Sequence, residues 1–473
     1  MPILTRLRST CFLFLVFCAG TSVAAQALPA SVRAALQQAG IPAGAVATYV
    51  QEIGSKKTLI ASNANDSFNP ASTMKLLTTD AALELLGPTY TWKTQAYSVA
   101  PQVGDVLQGN LIIKGNGDPK LVLENFWLFL RQLRARGIRE IRGNLVLDRS
   151  AFELETFDAE KFDGDPLKPY NAGPDALLLN YNAVGFRFIP DEANGVINVS
   201  VDPPLAGYTI HAPKLGSGSC DDWQNKLQAS VGADNTKFDG SFAASCGEKI
   251  WFLHPTQLSQ SQYFAAVFRQ LWRDMGGSFK GEVVSGITPA DARLLAEWQS
   301  PSLPEVIRDI NKFSNNVMAR QLLLTLAIDS SKRPATPQRG ALAVKAWLAS
   351  KNIDAPELVI ENGSGLSRIE RVSASTMGRM LVAAFRSPTM SEFISSMPLV
   401  GYDGTMRRRL TTSAVAGNAH IKTGSLNDVR ALAGYVTSAS GKNYAVVSMI
   451  NHANASRGQE AQDALLQWVY EQR

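Results

Sequence analysis

The chain has 473 residues, 45% of them hydrophobic, and a formal net charge of +5. It is long enough for two or three domains with a sizeable core. The charge is too small to indicate a nucleic-acid partner, and after the N-terminus no apolar run is long enough to span a bilayer.

The first residues have the pattern of a signal peptide. Arg6 and Arg8 precede an apolar stretch at residues 11–19, and small residues at 23–25 offer a cleavage site. We expect residues 1–25 to be removed and the mature protein to reach the periplasm, which argues against nucleic acid as a substrate. Removal of the two basic residues lowers the formal net charge from +5 to +3. An uncleaved anchor and a loose association with the membrane or cell wall stay open.

The N-terminal part of the mature chain predicts two helices and a hairpin. Residues 31–38 form the first predicted helix, and residues 46–53 and 58–62 form the hairpin. The second helix begins near Ser72, after an Asn-Pro pair, and ends near Leu86, where a Gly-Pro pair stops it.

Residues 89–254 have a different sequence pattern, which predicts a β-rich insertion of one or two small domains. Short β-like runs are separated by turn residues, and one helix at 123–136 interrupts them. The predicted strands are 93–97, 110–114, 143–148, 184–189, 195–201 and 241–244. We find no internal repeat of fixed period.

Two cysteines, Cys220 and Cys246, remain in this insertion after the signal peptide is removed. An even pair in an exported protein favours a single disulfide over two free thiols. The four histidines are scattered without ligand spacing, so we expect no metal site.

The remaining residues predict the other part of an α+β domain. The predicted helices are 260–275, 303–314, 316–327, 340–351, 373–387 and 392–397. Residues 420–423, 431–438 and 443–451 predict consecutive strands, the last two joined as a hairpin, and residues 459–472 predict a final helix. We therefore expect residues 26–88 and 255–473 to form one domain, whose first and last strands share a sheet.

The second helix carries a serine and a lysine one turn apart, Ser72 and Lys75. A serine hydroxyl becomes a good nucleophile only when a base takes its proton. A lysine can act as that base when burial or nearby cations lower its pKa. A Ser-x-x-Lys motif also occurs by chance, in which case the serine begins a helix and the lysine is solvated.

Two further motifs follow in the chain. Lys422, Thr423 and Gly424 begin the terminal strands, where a lysine adds positive potential, a threonine hydroxyl can bind a carboxylate, and a glycine lets an extended substrate lie close. Ser-x-Asn occurs three times, but only Ser314 and Asn316 lie between two helices and between the other motifs. The Ser314 hydroxyl could relay a proton, and the Asn316 amide could hold an ammonium or a carbonyl.

The order Ser-x-x-Lys, Ser-x-Asn, Lys-Thr-Gly resembles the penicillin-recognising acyl-serine enzymes. The long gap between Ser72 and Ser314 resembles the D-alanyl-D-alanine carboxypeptidase/endopeptidase family of class C low-molecular-mass penicillin-binding proteins (peptidase family S13). The segment 361–368 is similar to the Asp-Gly-Ser-Gly-Leu-Ser-Arg segment of that family, although it departs from it at residues 361–362. The resemblance implies a penicillin-binding/β-lactamase-like transpeptidase domain, with an antiparallel sheet, flanking helices, a helical subdomain and the inserted module.

The resemblance also implies roles. Ser72 would be the nucleophile, Lys75 the base and Ser314 the proton relay, with backbone N–H groups of Ser72 and of residues near 425–426 as the oxyanion hole. The predicted substrate-binding residues are Asn316, Arg368, Lys422, Thr423, Gly424, Asp165 and Tyr170. Of these, Asp165 and Tyr170 would recognise a diamino-acid side chain from a loop at 165–174, and the alternative is a surface aspartate and a packing tyrosine.

The implied enzyme is a D-Ala-D-Ala carboxypeptidase or DD-endopeptidase that acts on peptidoglycan stem peptides, is acylated by β-lactam antibiotics, and needs no cofactor or metal. A β-lactamase or esterase on the same fold is the alternative, which the long insertion and the absence of a class A deacylating glutamate loop argue against. A non-enzymatic envelope-binding protein is the third possibility.

Overall fold

The computed structural model describes residues 27–331 and 334–473. The predicted signal peptide lies outside these residues. Within them, no helix has both the length and the apolar character needed to cross a membrane.

The described residues form ten α-helices and twenty-one strands. The helices are α1 (Ala30–Gln38), α2 (Met74–Leu86), α3 (Leu123–Ala135), α4 (Gln260–Asp274), α5 (Leu303–Phe313), α6 (Asn316–Ser331), α7 (Pro337–Ser350), α8 (Ala374–Ala384), α9 (Met390–Ser396) and α10 (Gln459–Tyr470). The strands are β1 (Val46–Glu52), β2 (Thr58–Ser62), β3 (Lys93–Ser98), β4 (Gln102–Val103), β5 (Val106–Leu107), β6 (Leu111–Gly115), β7 (Glu140–Ile141), β8 (Leu145–Asp148), β9 (Val184–Asp191), β10 (Val196–Asp202), β11 (Thr209–His211), β12 (Lys214–Gly216), β13 (Leu227–Val231), β14 (Asn235–Ala243), β15 (Lys249–Leu253), β16 (Ser278–Phe279), β17 (Val283–Ser285), β18 (Arg293–Gln299), β19 (Ala419–Leu426), β20 (Val429–Thr437) and β21 (Asn443–Asn451).

The first and last strands of the chain share one antiparallel sheet, as predicted. Its order is β19-β20-β21-β1-β2, so β1 pairs with β21 although almost the whole chain separates them. The predicted hairpin joins β20 and β21. This arrangement makes β19, which carries Lys422, Thr423 and Gly424, an edge strand. Pro398 and Val400 form backbone hydrogen bonds with the outer side of its first residues, at Ile421 and Ala419.

Both faces of this sheet are covered, which explains the nearly continuous apolar runs of β20 and β21. Side chains alternate between the faces. On β20, Leu432 and Val436 pack with α1 and α10, whereas Ala433 and Tyr435 pack with the cluster that contains α2 and α8. The second cluster extends into a helical subdomain built from α5, α6 and α7.

Helix α2 lies at the centre of that subdomain. Every residue from Met74 to Leu83 is buried, and such a helix, enclosed on all sides, needs no polar face. The neighbouring helices have clear start signals. Ser302 forms a capping box with Glu305 at the start of α5, and Thr336 caps α7 by accepting a hydrogen bond from the backbone N–H of Arg339.

The insertion is larger than the sequence predicted. Strand β18 pairs antiparallel with β3, so that Trp298 lies opposite Thr94 and the insertion closes on itself at residue 299 rather than 254. Helix α4, which we assigned to the catalytic domain, packs instead in the core of the insertion. Its apolar stripe meets α3 through the edge-to-face contact of Phe126 with Phe264. Periodicity identifies such a helix but does not show which core its apolar stripe enters.

The insertion contains four sheets and one disulfide. The sheet orders are β17-β8-β6-β3-β18, β16-β7-β5-β4, β10-β9-β15, and β11-β14-β12 with β13 also on β14. The sequence prediction missed all seven strands of two or three residues, because so short a run has no readable period, and it also missed β13, β15 and β18. Cys220 and Cys246 form the predicted disulfide, with their Cα atoms 4.8 Å apart.

Candidate active site

The centre of the site is the turn that leads into α2. Ser72 lies in a short 3-10 turn, Ala71–Thr73, that continues directly into the helix. Ala71 has a φ of +44°, in the left-handed region that residues with a Cβ seldom adopt. Lys75, one turn further on, is completely buried, and its Nζ lies 3.0 Å from Ser72 Oγ.

Two other segments hold the Lys75 ammonium group. Its Nζ lies 2.5 Å from Asn316 Oδ1, at the start of α6, and it also donates to the backbone carbonyl of Ser364. Burial lowers the pKa of Lys75 well below its ordinary value, and the nearby Lys422 and Arg320 lower it further, while Glu370 opposes them. These causes favour the neutral amine, which is the form that can take a proton from a serine.

A second serine–lysine pair lies beside the first. Ser314 separates α5 from α6 and has a φ of +57°. Lys422 reaches it from β19, with its Nζ 2.9 Å from Ser314 Oγ and 2.6 Å from the Thr423 carbonyl oxygen. Burial lowers the pKa of Lys422 to about 7, so this lysine changes its charge near neutral pH.

Strand β19 lies against the turn that holds Ser72. A Cβ at Gly424 would be 2.8 Å from the Ser72 backbone nitrogen and 2.8 Å from the Pro70 carbonyl oxygen. Glycine is therefore the residue that allows the strand and the turn to approach this closely. The approach places the β19 backbone beside the Ser72 N–H, where the sequence predicted an oxyanion hole.

The loop at residues 361–370 packs on the other side of the same turn. A Cβ at Gly365 would be 1.8 Å from the Ala71 carbonyl oxygen. Glu370, which is fully buried, closes the loop: it accepts hydrogen bonds from the N–H groups of Glu361, Asn362 and Gly363 on Oε1 and of Gly365 on Oε2.

Sequence reasoning missed Glu370, since a single glutamate beside an arginine carries no motif. Its carboxylate nevertheless orients the loop whose Ser364 carbonyl accepts a hydrogen bond from Lys75. Burial raises the pKa of Glu370, and the four backbone N–H donors oppose that rise.

The insertion reaches the catalytic domain through a loop at residues 157–172. Arg320, a buried residue of α6 that the sequence analysis also missed, donates to the carbonyl oxygens of Tyr170 and Ala172 at 3.0 and 2.8 Å. Its guanidinium lies 5.2 Å from the ring centre of Phe157. Arg320 thus attaches the loop to the helix that begins at Asn316.

The predicted substrate-facing residues lie on or near this loop. The Arg368 guanidinium lies 4.6 Å from the ring centre of Phe162 and 3.3 Å from the Asp428 carboxylate. The Tyr170 hydroxyl donates to Asp163 at 2.7 Å, so Asp163, which sequence reasoning did not select, is its carboxylate partner.

Asp165 is the other predicted residue of the loop. It is half-exposed and lies 3.6 Å from the ammonium of Lys168. Lys75 thus contacts Ser72 and Asn316, and Lys422 contacts Ser314, two residues before Asn316 in the chain. Asp165 and Tyr170 belong instead to the loop that Arg320 anchors.

The arrangement has the parts of an acyl-transfer site: a nucleophilic hydroxyl, a buried amine beside it, a second hydroxyl held by a second lysine, and backbone N–H groups at a helix start. Among residues 27–331 and 334–473, no cluster of three or more His, Cys, Asp or Glu could hold a metal ion.

This chain is similar to known proteins in both sequence and fold. The chain is 29% identical over 419 residues to D-alanyl-D-alanine carboxypeptidase DacB of Haemophilus influenzae, covering 87% of this chain and 86% of that protein. It is 28% identical over 458 residues to the D-alanyl-D-alanine carboxypeptidase of Actinomadura sp. (strain R39), covering 92% and 82%.

A solved structure extends this similarity to three dimensions. Penicillin binding protein 4 (dacB) from Haemophilus influenzae superimposes with a TM-score of 0.78 and 26% identity, covering 93% of this chain and 99% of that one. The catalytic part therefore has the penicillin-binding/β-lactamase-like fold that the resemblance implied. The match to one protein family covers residues 28–472, which is almost the whole chain. The chain belongs to the D-Ala-D-Ala carboxypeptidase 3 (S13) family.

Proposed function

We propose that the protein is a serine-type D-Ala-D-Ala carboxypeptidase and DD-endopeptidase of peptidoglycan, working through an acyl-serine intermediate. One observation carries the proposal: a completely buried Lys75, with a lowered pKa, lies 3.0 Å from Ser72 Oγ. The names of the relatives from Haemophilus influenzae and Actinomadura support the same reaction.

In the acylation step, Ser72 Oγ attacks the carbonyl carbon of the D-Ala amide and gives its proton to the neutral Lys75 amine. Backbone N–H groups beside Ser72 and on β19 stabilise the oxyanion. The C–N bond then breaks, and Ser314, with Lys422 at 2.9 Å from its Oγ, gives its proton to the departing amine and takes in its place the proton that Lys75 received, which leaves Lys75 neutral again. Water hydrolyses the ester, which returns the proton to Ser72 and releases the acid.

Substrate binding follows the predicted assignments. The Lys422 charge and the Thr423 hydroxyl bind the carboxylate of the leaving residue, and the Asn316 amide and the edge of β19 at Gly424 hold the acyl part. Arg368 adds to the side that binds the substrate carboxylate, and Asp165 and Tyr170 recognise the diamino-acid side chain of the stem peptide. The assignment of Arg368 rests on the family resemblance, and those of Asp165 and Tyr170 rest on the resemblance and on the position of the loop at residues 157–172.

β-Lactams would acylate Ser72 by the same steps, and water would hydrolyse the resulting ester only slowly. The Haemophilus influenzae relative has also been crystallised in complex with a β-lactam. Peptidoglycan lies outside the cytoplasmic membrane, so we place the protein in the periplasm, in agreement with the export signal predicted at residues 1–25. Loose association with the membrane or cell wall remains a prediction.

The test uses three substrates and two proteins. Wild type and Ser72→Ala are incubated with fluorescent penicillin, with a stem pentapeptide ending in D-Ala-D-Ala, and with a cross-linked muropeptide dimer. Wild type should bind one penicillin per chain, release D-alanine, and split the dimer, whereas the folded Ser72→Ala should do none of these. Equal labelling of both proteins would exclude the mechanism, and sustained hydrolysis of a chromogenic cephalosporin would indicate a β-lactamase instead.

A further inference from the structure

A polar cavity of about 300 Å³ lies next to the active site, on the far side of β19. It is bounded by the turn at residues 404–406, by β19 and β20, and by the start of α10. The residues that matter here are Thr405, Arg408, Thr423, Ser425, Arg430 and Gln459. Thr423 and the backbone of Ser425 also belong to the proposed acyl-transfer site, whereas Thr405, Arg408, Arg430 and Gln459 have no part in it.

The side chains of β19 separate this cavity from the nucleophile. They alternate across the strand, so Lys422 points towards Ser314. Thr423 and Ser425 lie on the opposite face, where Ser425 pairs with Arg430 of β20. The Thr423 hydroxyl, which the proposed function places on the substrate carboxylate, also lines the cavity and lies 3.0 Å from the hydroxyl of Thr405.

The cavity has more positive than negative charge. Arg409 pairs with Asp463 at 2.6 Å, which accounts for one arginine. Arg430 donates to the neutral side-chain oxygen of Gln459 at 2.8 Å, and its buried Nε has no acceptor in the described part of the chain. Arg408 is exposed and forms no ion pair with any residue that the structure describes.

Burial and the neighbouring Arg409 lower the pKa of Arg430, with Asp463 opposing them. Hydroxyl groups and arginines together are the donors that proteins use for carboxylates.

We propose that this cavity is an anion subsite that binds a second carboxylate on the leaving residue of the substrate. The direction of the substrate rests on the proposed function, in which Thr423 binds the first carboxylate. The preferred leaving residue is then a dicarboxylic one, such as a diamino diacid released from a cross-link, rather than D-alanine alone. Arg408 is the specificity-determining residue, with Arg430 as the second cation.

Two peptides that differ by one charge test this subsite. Both end in D-Ala linked to D-α-aminopimelate, one with a free side-chain carboxylate and the other with the side-chain amide. Their affinities are measured by calorimetry with Ser72→Ala, so that binding is read without turnover. The acid should bind about tenfold more tightly than the amide, as for a hydrogen-bonded ion pair at a partly exposed site.

The arginine variants are made in the same Ser72→Ala background. Arg408→Ala should abolish the preference, and Arg408→Lys should keep part of it, since lysine retains the charge but not the two-pronged geometry. Arg407→Ala is the matched control, because Arg407 is also exposed but does not line the cavity. It should leave the preference unchanged.

Equal affinity of the two peptides, no measurable binding of either, or the same loss in Arg407→Ala would overturn the subsite. Turnover is measured separately with the Ser72 enzyme. Absence of turnover with the binding preference intact would reject the proposed reaction and keep the subsite. Turnover without any binding preference would support the proposed reaction and reject the subsite.

Discussion

Lys422 Nζ lies 2.9 Å from Ser314 Oγ, although 108 residues separate them in the chain. A second contact, from Lys75 Nζ to Asn316 Oδ1, joins α2 to the same short segment across 241 residues. Three motifs that are far apart in sequence thus meet at one place. The proposed chemistry depends on this meeting, because each lysine works only when it is buried beside a hydroxyl.

The charge of Lys422 should make stability depend on pH. Its pKa is about 7 in the folded protein and about 10.4 in an unfolded chain, so between these values the unfolded state binds one more proton. Stability relative to Lys422→Met should therefore rise as the pH is raised from about 7 to about 10. The upper bound is about 4 to 5 kcal/mol. Denaturant titrations of both proteins at several pH values measure the difference, and a constant difference would show that Lys422 keeps its charge when buried.

Glu370 should act on catalysis through Lys75. In Glu370→Gln the negative charge that raises the pKa of Lys75 is lost, so that pKa should fall. The acid limb of the pH dependence of penicillin acylation should then move to lower pH, because a base with a lower pKa stays neutral in more acidic solution. The plateau rate should also fall about tenfold, because the amide cannot accept all four N–H groups of the loop.

Glu357→Gln is the matched control for this change. Glu357 also accepts a backbone hydrogen bond, from Ser373, but it is not among the charges that act on Lys75. In Glu357→Gln the acid limb of the pH dependence of penicillin acylation should stay at the wild-type pH. A lower rate without a displaced limb in Glu370→Gln would mean that the carboxylate only holds the loop.

The close approach of Gly365 to the nucleophile turn can be tested by adding one methyl group. In Gly365→Ala the new Cβ would meet the Ala71 carbonyl oxygen, so acylation of Ser72 should fall at least about tenfold. Gly441→Ala is the control, since Gly441 has a φ of +80° compared with +79° at Gly365 but open space around it. Both variants bear similar backbone strain, about 1–2 kcal/mol, whereas only Gly365→Ala should lose labelling by fluorescent penicillin.

The disulfide should stabilise the insertion without affecting catalysis. Cys220 and Cys246 are 26 residues apart, for which the chain-entropy estimate is about 3.5 kcal/mol. A double serine variant should unfold at lower temperature in calorimetry, yet be acylated by penicillin at the wild-type rate at 25 °C. A matching fall in acylation would indicate that the disulfide region supports the loop that Arg320 anchors.

Much of this molecule could be read from the sequence. The three motifs, the helices around them, the hairpin of β20 and β21 and the cysteine pair follow local rules of spacing, periodicity and composition. The meeting of β1 and β21 in one sheet also followed, because strands lay only at the two ends of the predicted catalytic domain. These features are local, or they depend on the order of elements.

Other features depend on which surfaces meet, and only the tertiary structure decided them. Helix α4 has an ordinary apolar stripe, and nothing in its amino-acid sequence assigns it to the core of the insertion. Glu370 and Arg320 have no motif, because their roles come from backbone groups that the fold brings to them. The pairing of Tyr170 with Asp163 has the same origin. A hydrogen bond forms between atoms that the folded backbone brings within about 3 Å of each other, and side-chain identity alone does not determine the distance between them.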